Sequence, residues 1–358
     1  MNPIKTFIEF VKIDSPSGEE LVFSNYLFNK IKTLGAKSFQ DERGNILVSI
    51  KGEGVPLLLV AHMDTVQPGR NIRPVIQNGV IKSSGNTILG VDNKAIVSCF
   101  FELINFIVKN RNFRHRPLEI FFTVSEESGI SGIDTFDFER VRAKTGLCLD
   151  VAYPLGIVII GSPFYVSQTI RFIGQSAHAS RPEIGRNVSP VLGRFLSKIK
   201  QGRLSKDTLL NIGIVKGGEA TNSVMGDALI KSEIRSFSKK EIKTYTRKLR
   251  SVAEESARLF GCKFIYEERI ENHGYNFNEK DPHVRDISSK LKEFVGAKSV
   301  KYMPRYGGIS DANNLNGKGI KTVNLGYGAR DAHTVNENIK TSDLEKVCEF
   351  IKAFVTSN

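Results

Sequence analysis

Short apolar runs alternate with an amphipathic segment in the first 150 residues, and this alternation is the feature that most constrains the fold. Residues 57–60 (LLLV) and 118–124 (LEIFFTV) are rich in branched and aromatic side chains, as buried strands are. Between the two runs, apolar residues recur at helical spacing, and Asp92 is expected to begin that helix. Strand, helix and strand in this order predict an open, largely parallel α/β sheet.

Acidic and histidine side chains follow the apolar runs or begin the helix that faces them. Ligands of parallel sheets bind outside the carboxyl ends of the strands, which is where these residues are expected to lie. Imidazole and carboxylate are the ligands of hard-to-borderline divalent metals, and their number suits two ions that share one carboxylate. The set comprises His62, Asp64, Asp92, Glu126, Glu127, Asp150 and His333.

Each of these residues, taken alone, has an ordinary interpretation. An aspartate after a strand is usually a turn or helix-capping residue, and adjacent glutamates are usually solvated. The pair His62 and Asp64 is more specific, because side chains two apart on a strand share one face. Asp64 is therefore expected to accept the second imidazole proton of His62 and to orient its ring.

Seven ordered motifs between residues 61 and 339 extend this pattern over nearly the whole chain. They are AHMDTV, GVDNKA, FTVSEESG, GQSAHAS, GGEATNSV with EIRS, GGISDANNL and AHTVNENI. In these motifs the chain resembles the co-catalytic zinc exopeptidases and deacylases, a family that includes peptidase T, carboxypeptidase G and the aminoacylases. The resemblance is greatest to the peptidase T-like branch.

The resemblance implies a cofactor of two divalent metal ions, zinc in the first place, with cobalt or manganese as alternatives. It implies these ligands: His62 and Asp150 for one ion, Glu127 and His333 for the other, and Asp92 as the bridge. Glu126 would be the general base for a metal-bound hydroxide, and Asp64 the partner of His62. Family members hold the peptide bond after the bridging aspartate cis, so a cis Asp92–Asn93 bond is expected.

The length of 358 residues suggests two domains, and the pattern changes after residue 163. Residues 165–174 (YVSQTIRFIG) alternate as a half-exposed strand does, and helices are expected near 188–200 and 238–260. We expect a discontinuous catalytic domain, 1–163 and 274–358, with an inserted α+β lid or dimerisation domain at 164–273. A second helix of the chain, near 19–34, is expected to start with a capping box at residues 17–20.

The resemblance also assigns residues outside the ligand set. His178 would stabilise the oxyanion of the tetrahedral intermediate, in many family members across a homodimer. The positions implied to contact substrate are Asn222, Arg235, Gly308 and Ser310. From the residues alone, His178 also suits a surface loop, Arg235 an ion pair and Gly308 a plain turn.

Composition excludes several other classes of protein. No apolar run approaches the roughly 20 residues of a membrane span, and the amphipathic N-terminus lacks a signal-peptide pattern. Four scattered cysteines indicate free thiols in a reducing compartment, so a cytoplasmic location is expected. The net charge of +13 is spread along the chain, which favours a solvated surface over nucleic-acid binding.

The function predicted first is a dinuclear zinc exopeptidase that acts on short peptides, as a tripeptide aminopeptidase does. The nearest alternative keeps the site but hydrolyses N-acyl or N-carbamoyl amino acids. A third hypothesis, from another class, is a non-catalytic binding protein on the same fold. It would be favoured by loss of a ligand or of Glu126, and none is lost.

Overall fold

The computed structural model describes residues 1–356. Its helices are α1 (Pro3–Val11), α2 (Leu21–Thr33), α3 (Val91–Lys109), α4 (Ser189–Lys198), α5 (Lys239–Leu259), α6 (Pro282–Val295), α7 (Asp311–Gly317) and α8 (Thr341–Val355). Its strands are β1 (Lys37–Gln40), β2 (Ile46–Ile50), β3 (Leu57–His62), β4 (Pro74–Gln77), β5 (Val80–Ser83), β6 (Leu118–Thr123), β7 (Thr145–Val151), β8 (Ile157–Ile159), β9 (Gly161–Ser162), β10 (Phe164–Ile173), β11 (Gly202–Arg203), β12 (Thr208–Gly217), β13 (Asp227–Ser236), β14 (Lys263–Asn272), β15 (Tyr275–Asn276), β16 (Lys301–Met303), β17 (Lys321–Gly326) and β18 (Asn338–Lys340).

The chain forms two compact units. The main unit contains residues 1–161 together with the segment that begins at Asn276, and the insert unit is Ser162–Tyr275. The main unit holds an eight-stranded sheet in the order β1-β2-β6-β3-β7-β17-β8-β16. The four neighbours β6, β3, β7 and β17 run parallel, so their carboxyl ends meet at one edge of the sheet. The fold is therefore α/β with a mostly parallel sheet, as the strand–helix–strand order predicts.

The core of the main unit explains the continuous apolar runs. Every residue of β3 and of β6 is buried, because both are central strands covered on both faces. Helix α3 is buried along most of its length and packs against α1 and α8. Phe10 of α1 meets the rings of Phe23 and Phe101 edge-on, which adds aromatic contacts to the area buried.

The insert unit is a five-stranded antiparallel sheet in the order β11-β12-β13-β10-β14. Alternate residues of β10 are buried, which matches the alternation seen in the sequence. Helices α4 and α5 form a core with the sheet that includes Phe172, Phe195 and Leu249. The apolar positions of α5 lie on one stripe, so its many lysines and arginines stay in solvent.

One local expectation is wrong. Residues 17–20 form no capping box, because the Ser17 hydroxyl donates to Asp64 and α2 begins without a side-chain cap. Asp92 lies in the first turn of α3, as expected, although Asp92 and Asn93 have non-helical backbone angles. None of the helices in the described part of the chain combines the length and apolar character of a membrane span.

Candidate metal centre

Asp92 lies between two imidazole rings at the carboxyl edge of the parallel strands. Its Oδ1 is 3.4 Å from His62 Nε2, and its Oδ2 is 3.5 Å from His333 Nε2. Each imidazole meets a second carboxylate at the same nitrogen, Asp150 at 3.4 Å from His62 and Glu127 at 2.8 Å from His333. The arrangement is two histidine–carboxylate clusters that share one aspartate.

The donor atoms of these clusters fit divalent cations. His62 Nε2 and Asp92 Oδ1 are buried and have no hydrogen-bond partner among the described residues. One ligand atom from each of His62, Asp92 and Glu127 lies within 4.8 Å of the others, and the same holds for His62, Glu126 and Asp150. Imidazole nitrogens and carboxylate oxygens that converge in a buried site are ligands of divalent cations, so these residues could hold metal ions.

Without a bound cation, protons compensate the negative charge of the site. Hydrogen bonds to Asp92 and then to Glu127 raise the pKa of His333 to about 10. Burial, followed by the charge of Asp92, raises the pKa of Asp150 to about 8. Burial would also raise the pKa of Asp92, but its contacts with both imidazoles bring it well below its usual range. A divalent ion would take the place of these protons.

Glu126 lies beside the two clusters and is almost fully buried, with 7% of its surface exposed. Burial and then the charge of Asp150 raise the pKa of the Glu126 carboxyl well above its usual range. A carboxyl whose pKa is raised in this way holds a proton more readily than an ordinary glutamate, which suits a general base or acid. It follows β6 directly, in the turn where Ser125 has a positive φ of 54°.

Asp64 contacts more partners than the sequence predicts. The ring Nδ1 of His62 lies 3.0 Å from the backbone carbonyl of Asp64 and 3.4 Å from its carboxylate, so the carbonyl is the nearer partner. Both groups of Asp64 therefore lie beside the second imidazole nitrogen of His62. That carboxylate accepts the backbone N–H groups of Glu126 and Glu127, each at 3.0 Å, and the Ser17 hydroxyl at 2.7 Å. It fixes the turn that carries both glutamates.

The peptide bond between Asp92 and Asn93 is cis, as the resemblance implies. The side-chain amide of Asn93 donates to the Asp150 carboxylate at 3.0 Å and to the Leu149 carbonyl at 2.9 Å. The start of α3 is thus attached to the end of β7, and Asp92 and Asp150 are held on the same side of His62.

Two residues that accept backbone N–H groups of the ligands were not identified from the sequence. Asn324 of β17 accepts the backbone N–H of Asp150 at 2.9 Å, and Glu337 accepts the backbone N–H of Asp92 at 3.2 Å. Tyr306 lies where the charges of Asp150 and Asp92 raise its pKa in addition to burial. The only sequence signal for Glu337 is its place four residues after His333 in HTVNENI.

Gly308 and Ser310 have structural surroundings. A Cβ at Gly308 would lie 2.6–2.7 Å from the ring and hydroxyl of Tyr306, so a larger residue there would require the Tyr306 ring to move. Ser310 is only 1% exposed, caps α7 and accepts the Asn324 amide at 2.9 Å. The side chain of Ser310 is therefore engaged within the fold, and its contact with substrate stays a prediction.

The remaining predicted residues lie in the insert unit. His178 is exposed in the loop after β10, and its neighbour Ala179 donates to the Asn222 carbonyl at 2.9 Å, so the two predicted positions are close. The ring Nδ1 of His178 accepts the Ser180 backbone N–H at 3.2 Å. Arg235 lies over the Tyr165 ring at 4.7 Å and 3.3 Å from Glu233, an ion pair that the sequence left open.

Comparison with known proteins shows the family to which the chain belongs. Residues 58–357 match the model of peptidase family M20/M25/M40, and the chain belongs to this family. It is 32% identical to the uncharacterized protein YqjE of Bacillus subtilis, covering 98% of this chain and 97% of that protein. It is 24% identical to peptidase T of Clostridium botulinum, covering 97% of each chain.

Solved structures of the same family share the architecture. The aminopeptidase PepT of Bacillus cereus superposes with a TM-score of 0.87 at 32% identity, covering 99% of this chain and 97% of that one. A tripeptidase of Staphylococcus aureus gives a TM-score of 0.85 at 30% identity, with the same coverage. The YXEP protein of Bacillus subtilis, described as a dinuclear metal-binding peptidase, has a TM-score of 0.69 at 13% identity, covering 99% and 96%, and shows the fold alone.

Proposed function

We propose that this protein is a dinuclear, metal-dependent aminopeptidase that hydrolyses short peptides, tripeptides first among them. The observation that carries the proposal is the shared carboxylate: Asp92 presents one oxygen to His62 and the other to His333. The aminopeptidase and the tripeptidase that resemble this chain at 30% identity or more support this substrate class.

The proposed ligands are His62, Asp150 and Asp92 Oδ1 for one ion, and His333, Glu127 and Asp92 Oδ2 for the other. Zinc is the metal proposed first, because imidazole and carboxylate together suit it, and cobalt or manganese would occupy the same donors. Bound at this position, the ions would supply an activated water molecule and polarise the scissile carbonyl.

Glu126 is proposed as the general base. Its carboxylate would accept a proton from the attacking water and deliver it to the leaving amine. Two features support this role: burial raises the pKa of the Glu126 carboxyl well above its usual range, and the Glu126 N–H is fixed by Asp64 at 3.0 Å. Since Glu127 is fixed by the same carboxylate, the adjacent glutamates can act separately, one as base and one as ligand.

The insert unit is proposed to supply the oxyanion donor and substrate contacts. Because the Ser180 N–H donates to Nδ1 of His178, the neutral ring carries its proton on Nε2, the tautomer that can donate to an oxyanion. Asn222, Arg235, Gly308 and Ser310 are proposed to contact the peptide.

We also propose that the insert unit forms a homodimer and that the protein is cytoplasmic. The edge strand β14 exposes Ile265 (47%) and Ile270 (52%), apolar side chains that a second copy would cover. The four free cysteines support a reducing compartment.

A substrate panel with a matched control tests the function. The metal-free protein is supplied with zinc, cobalt or manganese and given a tripeptide, its N-acetylated form, and N-acyl and N-carbamoyl amino acids. Release of the N-terminal residue from the free tripeptide only is expected, because an aminopeptidase requires the free amine. Hydrolysis of only the acyl or carbamoyl compounds would indicate the amidohydrolase, and metal binding without hydrolysis of any compound would indicate a binding protein.

A further inference from the structure

Glu337 connects the two loops that carry Asp92 and His333. It lies four residues after His333 and is only 1% exposed. Its Oε2 accepts the backbone N–H groups of Leu89 at 2.7 Å and Gly90 at 2.6 Å, and its Oε1 accepts that of Asp92 at 3.2 Å. One buried carboxylate thus holds three backbone donors of a distant loop.

The turn before α3 has no local group to satisfy those donors. Gly90 occupies the N-cap position with a left-handed φ of 73° and has no side chain to act as a cap. The first N–H groups of a helix lack intrahelical acceptors, and a buried N–H without an acceptor is costly. Glu337 accepts these N–H groups in place of a local cap. One of them belongs to Asp92, the residue that faces both imidazoles.

We infer that Glu337 is a positioning residue that holds Asp92 between the two histidines and couples the filling of the two metal positions. The inference rests on the proposed dinuclear site. Glu337 belongs to the loop that carries His333 and is hydrogen-bonded to the loop that carries Asp92. A movement of either loop is therefore transmitted to the other through the Glu337 side chain. Loss of this link is expected to weaken both metal positions together.

Glu337→Gln is the informative variant because it keeps the volume and changes one acceptor. The single amide oxygen can serve Leu89 and Gly90, which share Oε2 in the native chain. The amide NH₂ then faces the N–H of Asp92, so the contact to Asp92 is lost and replaced by two opposed donors. The substitution therefore acts on the orientation of Asp92.

Glu119→Gln is a matched control in the same unit. Glu119 is also 1% exposed, and its carboxylate accepts the backbone N–H groups of Arg142 and Ala143 at 2.9 Å. It is the second residue of β6, whereas the candidate metal centre lies beyond the last, so the two are separated by four residues of strand, about 13 Å. The control repeats the chemical change far from the metal ligands.

Metal-free wild type and variants are titrated with Zn²⁺ by calorimetry and with Co²⁺ by absorption spectroscopy. For Glu337→Gln we expect affinity for both ions to fall 10- to 100-fold, the range for loss of one hydrogen bond to a charged acceptor. The Co²⁺ spectrum should change, and Glu119→Gln should keep wild-type affinity and spectrum. Glu337→Asp, which keeps the charge on a shorter arm, should bind more tightly than Glu337→Gln.

Two results would overturn the inference. One is wild-type affinity for both ions in Glu337→Gln, and the other is an equal loss of affinity in Glu119→Gln, which would indicate general destabilisation. A wild-type protein that binds fewer than two ions would instead refute the proposed function itself. Wild-type binding of two ions with unchanged binding in Glu337→Gln would refute only the role of Glu337.

Discussion

Replacement of Asp64 by asparagine tests how the glutamate turn is held. The Asp64 carboxylate is fully buried and accepts the N–H of Glu126 on Oδ1 and the N–H of Glu127 on Oδ2. An amide has one oxygen, so Asp64→Asn loses one of these bonds and points an NH₂ group at an N–H. The volume of the side chain is almost unchanged.

The expected losses of stability and of kcat follow from the one hydrogen bond that is lost. A hydrogen bond to a charged acceptor contributes about 1.5–3 kcal/mol, so unfolding of Asp64→Asn should require about that much less free energy. Loss of the bond also allows Glu126 or Glu127 to move from its position in the turn. If the same free energy is lost from the transition state, the rate falls tenfold for each loss of about 1.4 kcal/mol. We therefore expect kcat to fall about 10- to 100-fold.

Ser17→Ala is the control, because Ser17 contributes only the hydroxyl that Asp64 accepts at 2.7 Å. Ser17→Ala leaves both glutamate N–H bonds in place, so we expect a loss of stability of about 1.5–3 kcal/mol but a near-normal kcat. The assays are urea unfolding, metal content and peptide hydrolysis on the same preparations. The conclusion that Asp64 holds the glutamate turn would be wrong in either of two cases: if Ser17→Ala reduced kcat as strongly as Asp64→Asn, or if Asp64→Asn were fully active.

Three further predictions concern the site. Glu126→Gln should lower kcat at least about 100-fold while metal content stays normal, and full activity would exclude Glu126 as the base. Metal affinity should rise with pH between 6 and 8, because His333 (pKa about 10) and Asp150 (pKa about 8) hold protons that a cation must displace. Calorimetry in two buffers should detect the release of at least one proton per protein when the metal binds. A metal affinity that did not depend on pH would contradict this prediction. His178→Ala should lower kcat about 100- to 1,000-fold without loss of metal, and a normal kcat would remove this residue from the mechanism. If two subunits share the site, mixing the His178→Ala and Glu126→Gln variants should restore activity in heterodimers.

The sequence predicts elements whose pattern is local. β6 begins with the apolar run at residues 118–124 and ends one residue before it, and α5 matches its predicted range to within one residue at each end. The convergence of His62, Asp92 and Asp150 was also predictable, because parallel strands place their carboxyl ends at one edge.

The unpredicted features depend on contacts between distant segments. Ser17 has the right spacing for a capping box, but its hydroxyl is taken by Asp64, which no local pattern reveals. Glu337 and Asn324 resemble ordinary surface and strand residues in the sequence. Their roles arise because each accepts a backbone N–H from another element, and the choice of that element is set by the completed sheet.

The position of β17 in the large sheet determines when the protein can fold during its synthesis. β17 lies between β7 and β8, although the whole insert unit is translated after those two strands and before β17. Until residue 326 has emerged, β7 keeps an unpaired edge, and such edges pair readily with other extended chains. Pairings between distant segments also form slowly. The nascent chain must therefore be kept from aggregating until almost all of it has been made.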